Sequence, residues 1–199
     1  MSGLAVFGYA SLVSRASAAE TLSRPVGPCP VARLTGWRRR WSLVRDNHRA
    51  EKTFARADDP DSLPPFMLGL NIEPRGDAAE APNGVLIELT EAELERLDLR
   101  EIRYDRVDVT ESIAPVDPGA EIAFDKVVAF TAKPENFAPE PPDGAVVLAN
   151  YATTIEAAFA ELGEDQRHLY LQTTGPPPVE VIDAILVRDR IPPGNPRAW

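Results

Sequence analysis

The sequence predicts a single α+β domain built on a twisted or barrel-like sheet. Short strand-like segments are interleaved with a smaller number of helical ones, which is typical of that class. With 199 residues, 44% of them hydrophobic and 26% charged, the chain has the length and balance of one globular domain that buries its own core. We therefore assign residues 1–199 to one domain, with a proline-rich C-terminal tail over about 188–199.

Apolar runs and alternating patterns indicate the strands. The first is the short run from Leu4 to Phe7, which Gly8 closes before a tight loop. Further strand candidates lie at 31–44, 66–72, 85–89, 103–110 and 127–130. The remaining segments, two predicted loops and one ambiguous stretch, are 46–65, 76–83 and 179–187.

Helical periodicity predicts four helices. The first, at 15–22, is rich in alanine, and the prolines that follow end it because proline has no amide N–H. Thr90 followed at the third position by Glu93 forms a capping box that starts the second helix. The other two lie at 148–162, which carries one apolar stripe, and at 165–171.

The second helix carries a candidate catalytic residue, Glu101. Leu94 and Leu97 define the buried stripe of this helix, and Glu101 follows Leu97 by four positions, so it shares the core-facing side. Burial disfavours a charged carboxylate, and a place near the C-terminal end of a helix acts in the same direction. Both effects predict a raised pKa, which suits a general acid/base.

A second interpretation of Glu101 is purely structural. If the helix stops near Asp98, Glu101 lies in a solvated turn, paired with Arg100 or Arg103. Periodicity alone favours this interpretation. The two interpretations differ in whether the carboxylate is buried.

The loop after the first strand is a candidate substrate cradle. Its sequence is Gly8-Tyr9-Ala10-Ser11-Leu12. Successive backbone amides in such a loop form an anion-binding concavity, where a small carboxylate docks. The alternative is a plain turn in which Tyr9 packs into the core and Ser11 caps the next helix. The loop lacks the lysine of a phosphate-binding P-loop and the glycine spacing of a dinucleotide-binding motif.

Charge and composition argue against several classes of partner. The net charge of −10 repels polyanions, so we expect no nucleic-acid partner. The one feature that favours such a partner is the run Arg38-Arg39-Arg40 between Trp37 and Trp41. On a strand these arginines divide between two faces, and we expect them to form surface or interface pairs with the many acidic residues.

Metal, disulfide and membrane functions are also disfavoured. Cys29 is the only cysteine, and His48 and His168 are the only histidines, so the common zinc and iron sites are not expected. No window approaches the roughly 18 apolar residues of a membrane span, and no basic segment precedes the apolar N-terminal run. We expect a cytoplasmic protein without metal or membrane partner.

Several motifs together resemble the γ-glutamylcyclotransferase family. The motifs are Phe7-Gly8-Tyr9-Ala10-Ser11-Leu12, Leu97-Asp98-Leu99-Arg100-Glu101 with Tyr104 and Arg106, the strand-like segments 34–41 and 84–90, and Tyr151. They stand in the family's order over roughly residues 6–163. The resemblance implies a mixed β-barrel flanked by helices, with a pocket at one end of the barrel. Ala10 departs from the family, which usually has glycine at this position.

The resemblance also implies a reaction and a site. The α-amine of a γ-glutamyl group attacks its own γ-carbonyl, which gives 5-oxoproline and expels an amine or amino acid without any cofactor. Glu101 would move the protons as general acid/base, the amides of the 8–12 loop would bind an oxygen of the substrate, and Tyr9 and Tyr151 would line the pocket. Two alternatives stay open: a non-catalytic small-molecule binder on this fold, and a cyclotransferase for γ-glutamylamines or biosynthetic adducts. Neither the leaving group nor the oligomeric state follows from the sequence.

Overall fold

The computed structural model describes residues 3–74, 80–116 and 122–196. Its helices are α1 (Arg15–Leu22), α2 (Glu91–Arg100), α3 (Ala149–Glu161) and α4 (Glu164–Thr174). Its strands are β1 (Leu4–Gly8), β2 (Val31–Leu34), β3 (Trp37–Asp46), β4 (Lys52–Arg56), β5 (Phe66–Pro74), β6 (Asn83–Leu89), β7 (Tyr104–Asp108), β8 (Ile113–Pro115), β9 (Lys126–Ala132), β10 (Ala145–Leu148), β11 (Val181–Ile182) and β12 (Ala184–Asp189).

The described strands form three sheets, two of which curl around a common core. One has the order β7-β9-β1-β6-β2-β8, another β11-β10-β5-β3, and β4 pairs with β12 in a separate ribbon. The two larger sheets are mixed, because β1 runs parallel to β9 but antiparallel to β6, and β10 runs parallel to β5. Side-chain hydrogen bonds from β9 to β5 join them, including Thr131 Oγ1 to the Ile72 carbonyl at 2.8 Å. The predicted α+β class with a mixed barrel and flanking helices is confirmed, in the form of a half-barrel.

The core explains why β1 reads as a continuous apolar run. All five of its residues are buried, since it lies between β9 and β6 with its faces covered. Leu94 and Leu97 lie on the buried face of α2 and pack into this core, as predicted. One large cluster of buried apolar side chains extends from Leu4 on β1 to Tyr170 on α4.

Two strands, β8 and β10, lie outside every predicted strand, and the structure departs from the predicted elements in three further places. The predicted strand 31–44 is two strands, separated by a turn in which Gly36 has a φ of 77°, a value that favours glycine. The predicted loop 46–65 contains β4, whose partner β12 is more than a hundred residues away and leaves no local signal. The ambiguous stretch 179–187 and part of the tail form β11 and β12. Parts of the predicted loop 76–83 and of the tail, 76–79 and 197–199, lie outside the described residues.

Candidate active site

A cavity of about 750 Å³ opens where α1, the end of α2 and the start of α3 meet β5 and the β4–β12 ribbon. Its inner wall includes Ser11, Arg100, Glu101, Tyr104 and Tyr151. The sequence separates these residues by up to 140 positions, and the half-barrel brings them together. Three of the residues predicted for the site, namely Ser11, Glu101 and Tyr151, therefore line one cavity.

Glu101 is placed by the end of α2. Both halves of the capping box between Thr90 and Glu93 are present, so the helix begins where predicted. It ends at Arg100, and Glu101 is the C-cap residue, with its backbone N–H bonded to the Leu97 carbonyl at 2.8 Å. The interpretation that the helix stops near Asp98 and leaves Glu101 solvated is wrong. The Glu101 side chain is only 16% exposed, and it faces the cavity.

Two opposing influences act on the Glu101 carboxyl. Burial raises its pKa above the ordinary value, because the charged form loses hydration. The guanidinium of Arg100 acts in the opposite direction, with its Nε 3.0 Å from Glu101 Oε1, and Arg103 adds a smaller lowering. Burial is the larger influence, so the pKa is raised. The result is a carboxylate held by a cation at the wall of a cavity, where it can exchange a proton.

Arg100 is a site residue that the sequence analysis considered only as a surface partner. It is buried, and its Nη2 donates to Ser11 Oγ at 2.9 Å and to Ser17 Oγ at 3.1 Å, while Nη1 donates to Thr21 Oγ1. It thereby ties the 8–12 loop and α1 to Glu101. The available signal was the pair Ser17 and Thr21, four residues apart and so on one face of α1, which offers hydroxyls to a buried donor.

Two tyrosines hold the backbone of one residue, Leu70, at the cavity that Glu101 lines. Tyr104 donates its hydroxyl proton to the Leu70 carbonyl at 2.9 Å, and the Leu70 N–H donates to the Tyr151 hydroxyl at 3.2 Å. Burial raises the pKa of both phenols, and the nearby negative charge of Glu101 adds to the effect, so they stay neutral. The hydroxyl proton of Tyr151 has no acceptor among the described residues.

The rest of the 8–12 loop lies behind the cavity wall. Tyr9 is buried and donates to the Phe130 carbonyl at 2.6 Å, as the plain-turn alternative predicted. Gly8, Tyr9, Ala10 and Leu12 do not line the large cavity, and Leu12 instead lines a second cavity of about 240 Å³. Ala10 has a φ of −136°, so this position does not have the positive φ that would favour the family's usual glycine.

The predicted helix cap in this loop is one turn further on. Ser14, and not Ser11, caps α1, since the Ser14 hydroxyl accepts the Ser17 N–H at 3.4 Å. This frees the Ser11 hydroxyl to accept from Arg100 at the cavity wall.

Arg39 corrects the prediction that the three consecutive arginines form surface pairs. It is 1% exposed, and its five N–H groups donate to the Tyr9 carbonyl, both oxygens of Asn83, and the hydroxyls of Thr173 and Thr174. Its guanidinium carbon lies 4.9 Å and 4.7 Å from the ring centroids of two aromatic side chains, Phe159 and Tyr170.

Of the two neighbours of Arg39, Arg38 forms the predicted pair with an acidic residue, whereas Arg40 bonds to a backbone carbonyl. Arg38 pairs with Glu73 at 2.7 Å, and Arg40 donates to the Pro139 carbonyl at 3.2 Å. Both side chains are only half-buried. The three arginines therefore divide between the two faces of β3, as the alternation indicated. Arg39 lies on the inner face, which the core covers.

Searches of the described residues for other kinds of site gave two results. They contain no group of three or more His, Cys, Asp or Glu side chains arranged to hold a metal ion. They also contain no helix long and apolar enough to cross a membrane.

Comparison with solved structures identifies the fold. A structure described as a γ-glutamyl cyclotransferase superposes with a TM-score of 0.58 at 18% identity, covering 90% of this chain and 93% of that one. A human protein described as uncharacterised protein loc79017 gives 0.57 at 17% identity, covering 91% and 94%. A yeast γ-glutamyl cyclotransferase specific to glutathione gives 0.52 at 15% identity, covering 87% and 96%. No family model and no curated protein matches the chain.

At these identities the likeness defines the architecture. The chain has the γ-glutamylcyclotransferase fold, as the sequence motifs predicted. The likeness extends over nearly the whole of both chains in each comparison.

Proposed function

We propose that this protein is a γ-glutamylcyclotransferase-type enzyme in which Glu101 is the general acid/base. One observation carries the proposal: on this fold, the Glu101 carboxylate lies in the wall of a cavity of about 750 Å³, mostly buried and paired with Arg100. A carboxylate in that setting suits proton transfer at neutral pH.

The reaction is an intramolecular acyl transfer. Glu101 takes a proton from the α-ammonium group of the γ-glutamyl substrate, and the freed amine attacks the γ-carbonyl carbon. The C–N bond of the lactam forms, and the bond to the leaving nitrogen breaks as Glu101 returns its proton to that nitrogen. The attacking nitrogen then loses its second proton to the freed Glu101 carboxylate, which passes it to the departing amine, so the amine leaves as an ammonium ion. The products are 5-oxoproline and an amine or amino acid. Because nucleophile and electrophile belong to one molecule, the main task of the protein is to hold the reactive conformer.

Ser11 and Tyr151 are the groups we assign to substrate oxygens. Each hydroxyl accepts a protein N–H, from Arg100 and from Leu70 respectively. Neither hydroxyl proton has an acceptor among the described residues, so both are available to donate to the α-carboxylate or the γ-carbonyl oxygen. Of the 8–12 loop, Ser11 is the residue that lines the cavity, so the proposed cradle consists of its hydroxyl and that of Tyr151.

The test is Glu101→Gln, which keeps the shape of the side chain and removes the base. Purified protein is incubated with γ-glutamyl dipeptides, glutathione and γ-glutamylamines, and 5-oxoproline is measured by mass spectrometry. We expect kcat to fall by roughly 10²–10⁴-fold.

Glu20→Gln is the matched control. Glu20 lines the same cavity but is exposed, so the variant makes the same change of charge with little effect on rate. Equal turnover of Glu101→Gln and wild type would rule out the assignment of the base. Ligand binding without product from any substrate would favour the non-catalytic alternative.

A further inference from the structure

The β4–β12 ribbon forms the outer wall of the cavity, and a β-bulge decides which side chains it presents there. Leu186 lies opposite Phe54 and Asp189 lies opposite Lys52, with a shift of register between Leu186 and Arg188. In a regular strand, two residues three positions apart have side chains on opposite faces. A bulge between them adds one residue, so that both side chains lie on the same face. Leu186 and Asp189 therefore both face the cavity, as Phe54 and Lys52 do.

The cationic groups of the cavity are already engaged by the protein. Lys52 lies 3.8 Å from Asp189, Arg103 Nη2 lies 2.6 Å from Glu51, and Arg100 lies 3.0 Å from Glu101. The fourth, Arg45, donates to the Lys52 carbonyl and stacks on Phe54, with its guanidinium carbon 5.5 Å from the ring centroid. The four acidic residues of the cavity, Glu20, Glu51, Glu101 and Asp189, match these four cations in number.

This balance restricts the leaving group of the proposed reaction. The γ-glutamyl part brings one carboxylate, which the hydroxyls of Ser11 and Tyr151 receive. A leaving amino acid or peptide brings a second carboxylate to the part of the cavity that the ribbon lines. To bind Lys52 or Arg103 there, it must compete with Asp189 or Glu51, which already hold these cations, and without a cation it stays partly desolvated. Phe54, Met67 and Leu186 offer apolar surface in the same region.

We propose that the β4–β12 ribbon is the leaving-group subsite, and that it selects γ-glutamyl derivatives of apolar amines over those of amino acids and peptides. This inference rests on the proposed function and names its substrate class. Glutathione falls in the disfavoured group, because its leaving part ends in a carboxylate. The bulge is the specificity device, since it turns Asp189 inward to occupy Lys52.

The test uses two substrates that differ by one carboxylate, γ-glutamyl-leucine and γ-glutamyl-3-methylbutylamine, whose leaving group is leucine without its carboxyl group. The expected result is a kcat/KM for the amine at least about tenfold higher, measured as 5-oxoproline formation. Equal rates, or faster release of leucine, would overturn the subsite assignment and leave the cyclotransferase activity standing. No product from either compound would overturn both.

A pair of variants locates the effect on the ribbon. Leu186→Lys adds a cation on the cavity side, and Val187→Lys adds the same cation one residue along, where the side chain does not line the cavity. The two side chains are matched in exposure, at 47% and 46%. We expect Leu186→Lys alone to shift the ratio of kcat/KM towards γ-glutamyl-leucine, by roughly tenfold. The same shift in both variants, or none in Leu186→Lys, would contradict the assignment.

Discussion

Two buried arginines, Arg39 and Arg100, contact the 8–12 loop from different sides. Arg39 reaches it from the core and donates to the Tyr9 carbonyl, whereas Arg100 reaches it from the cavity and donates to Ser11 Oγ. The described partners of Arg39 are neutral oxygens and aromatic rings. Arg100 also has neutral partners, but it adds the Glu101 carboxylate at 3.0 Å.

The difference shows how one residue type serves structure in one region and chemistry in another. Burial lowers the pKa of Arg39 to about 9, which still leaves it charged at neutral pH, and its hydrogen bonds join α4 and β6 to the loop. The charge of Arg100 acts on a group that faces the cavity, and it lowers the Glu101 pKa against the effect of burial. We infer that Arg39 sets the position of the loop, whereas Arg100 sets both the position and the proton affinity of the base.

The largest expected effect is on stability, in Arg39→Met. The variant leaves buried acceptors on Tyr9 and Asn83 without donors, so the free energy of unfolding should fall by about 3–5 kcal/mol. Urea denaturation followed by circular dichroism measures this as a lower midpoint at an unchanged slope. Arg40→Met is the control, because the Arg40 side chain donates an exposed hydrogen bond to the Pro139 carbonyl, and its loss should cost no more than about 0.5 kcal/mol. Similar values for the two variants would show that Arg39 is not the structural anchor.

The next effect is on the pH dependence of activity, in Arg100→Met. Because the Arg100 charge lowers the Glu101 pKa, its removal raises that pKa, and the acidic limb of the kcat/KM profile should move to higher pH. Loss of a hydrogen bond to a charged group is worth roughly 1.5–3 kcal/mol, so kcat/KM at pH 7 should fall by roughly ten- to a hundredfold. Arg100→Lys keeps the charge, and its acidic limb should stay close to that of the wild type. An unmoved limb in Arg100→Met, with activity otherwise retained, would refute the electrostatic role.

The sequence predicted those parts of the site that depend on local pattern. The apolar run of β1, the capping box at Thr90 and the stripe of Leu94 and Leu97 each lie within one element, and together they placed Glu101 on a buried face. Each is a short-range relation, in which the spacing of residues fixes which face is buried.

The parts that the sequence did not predict depend on contacts between distant segments. From their local sequence, Arg100 and Arg39 would be expected at the surface. Their burial depends on hydrogen bonds to distant groups, among them threonine hydroxyls 79–135 positions away in the sequence. In the β4–β12 ribbon, Phe54 pairs with Leu186, which lies far away in the sequence. The local pattern of each strand therefore does not indicate its partner. Leaving-group recognition lies in this region, which explains why the sequence left the substrate class open.

The smallest expected effect distinguishes two hydroxyls that bond to the backbone of Leu70, one structural and one assigned to substrate binding. Tyr104→Phe and Tyr151→Phe each remove one hydrogen bond to Leu70, so each should cost about 1 kcal/mol of unfolding free energy. The Tyr104 proton is committed to the Leu70 carbonyl, so Tyr104→Phe should leave KM near the wild-type value. The Tyr151 proton has no acceptor among the described residues, and its loss should raise KM by roughly tenfold, which corresponds to about 1.4 kcal/mol of substrate binding. Steady-state kinetics with the best γ-glutamyl substrate measures both. If the two variants raise KM equally, Tyr151 acts only through the backbone, as Tyr104 does, and the cradle must be assigned to Ser11 without Tyr151.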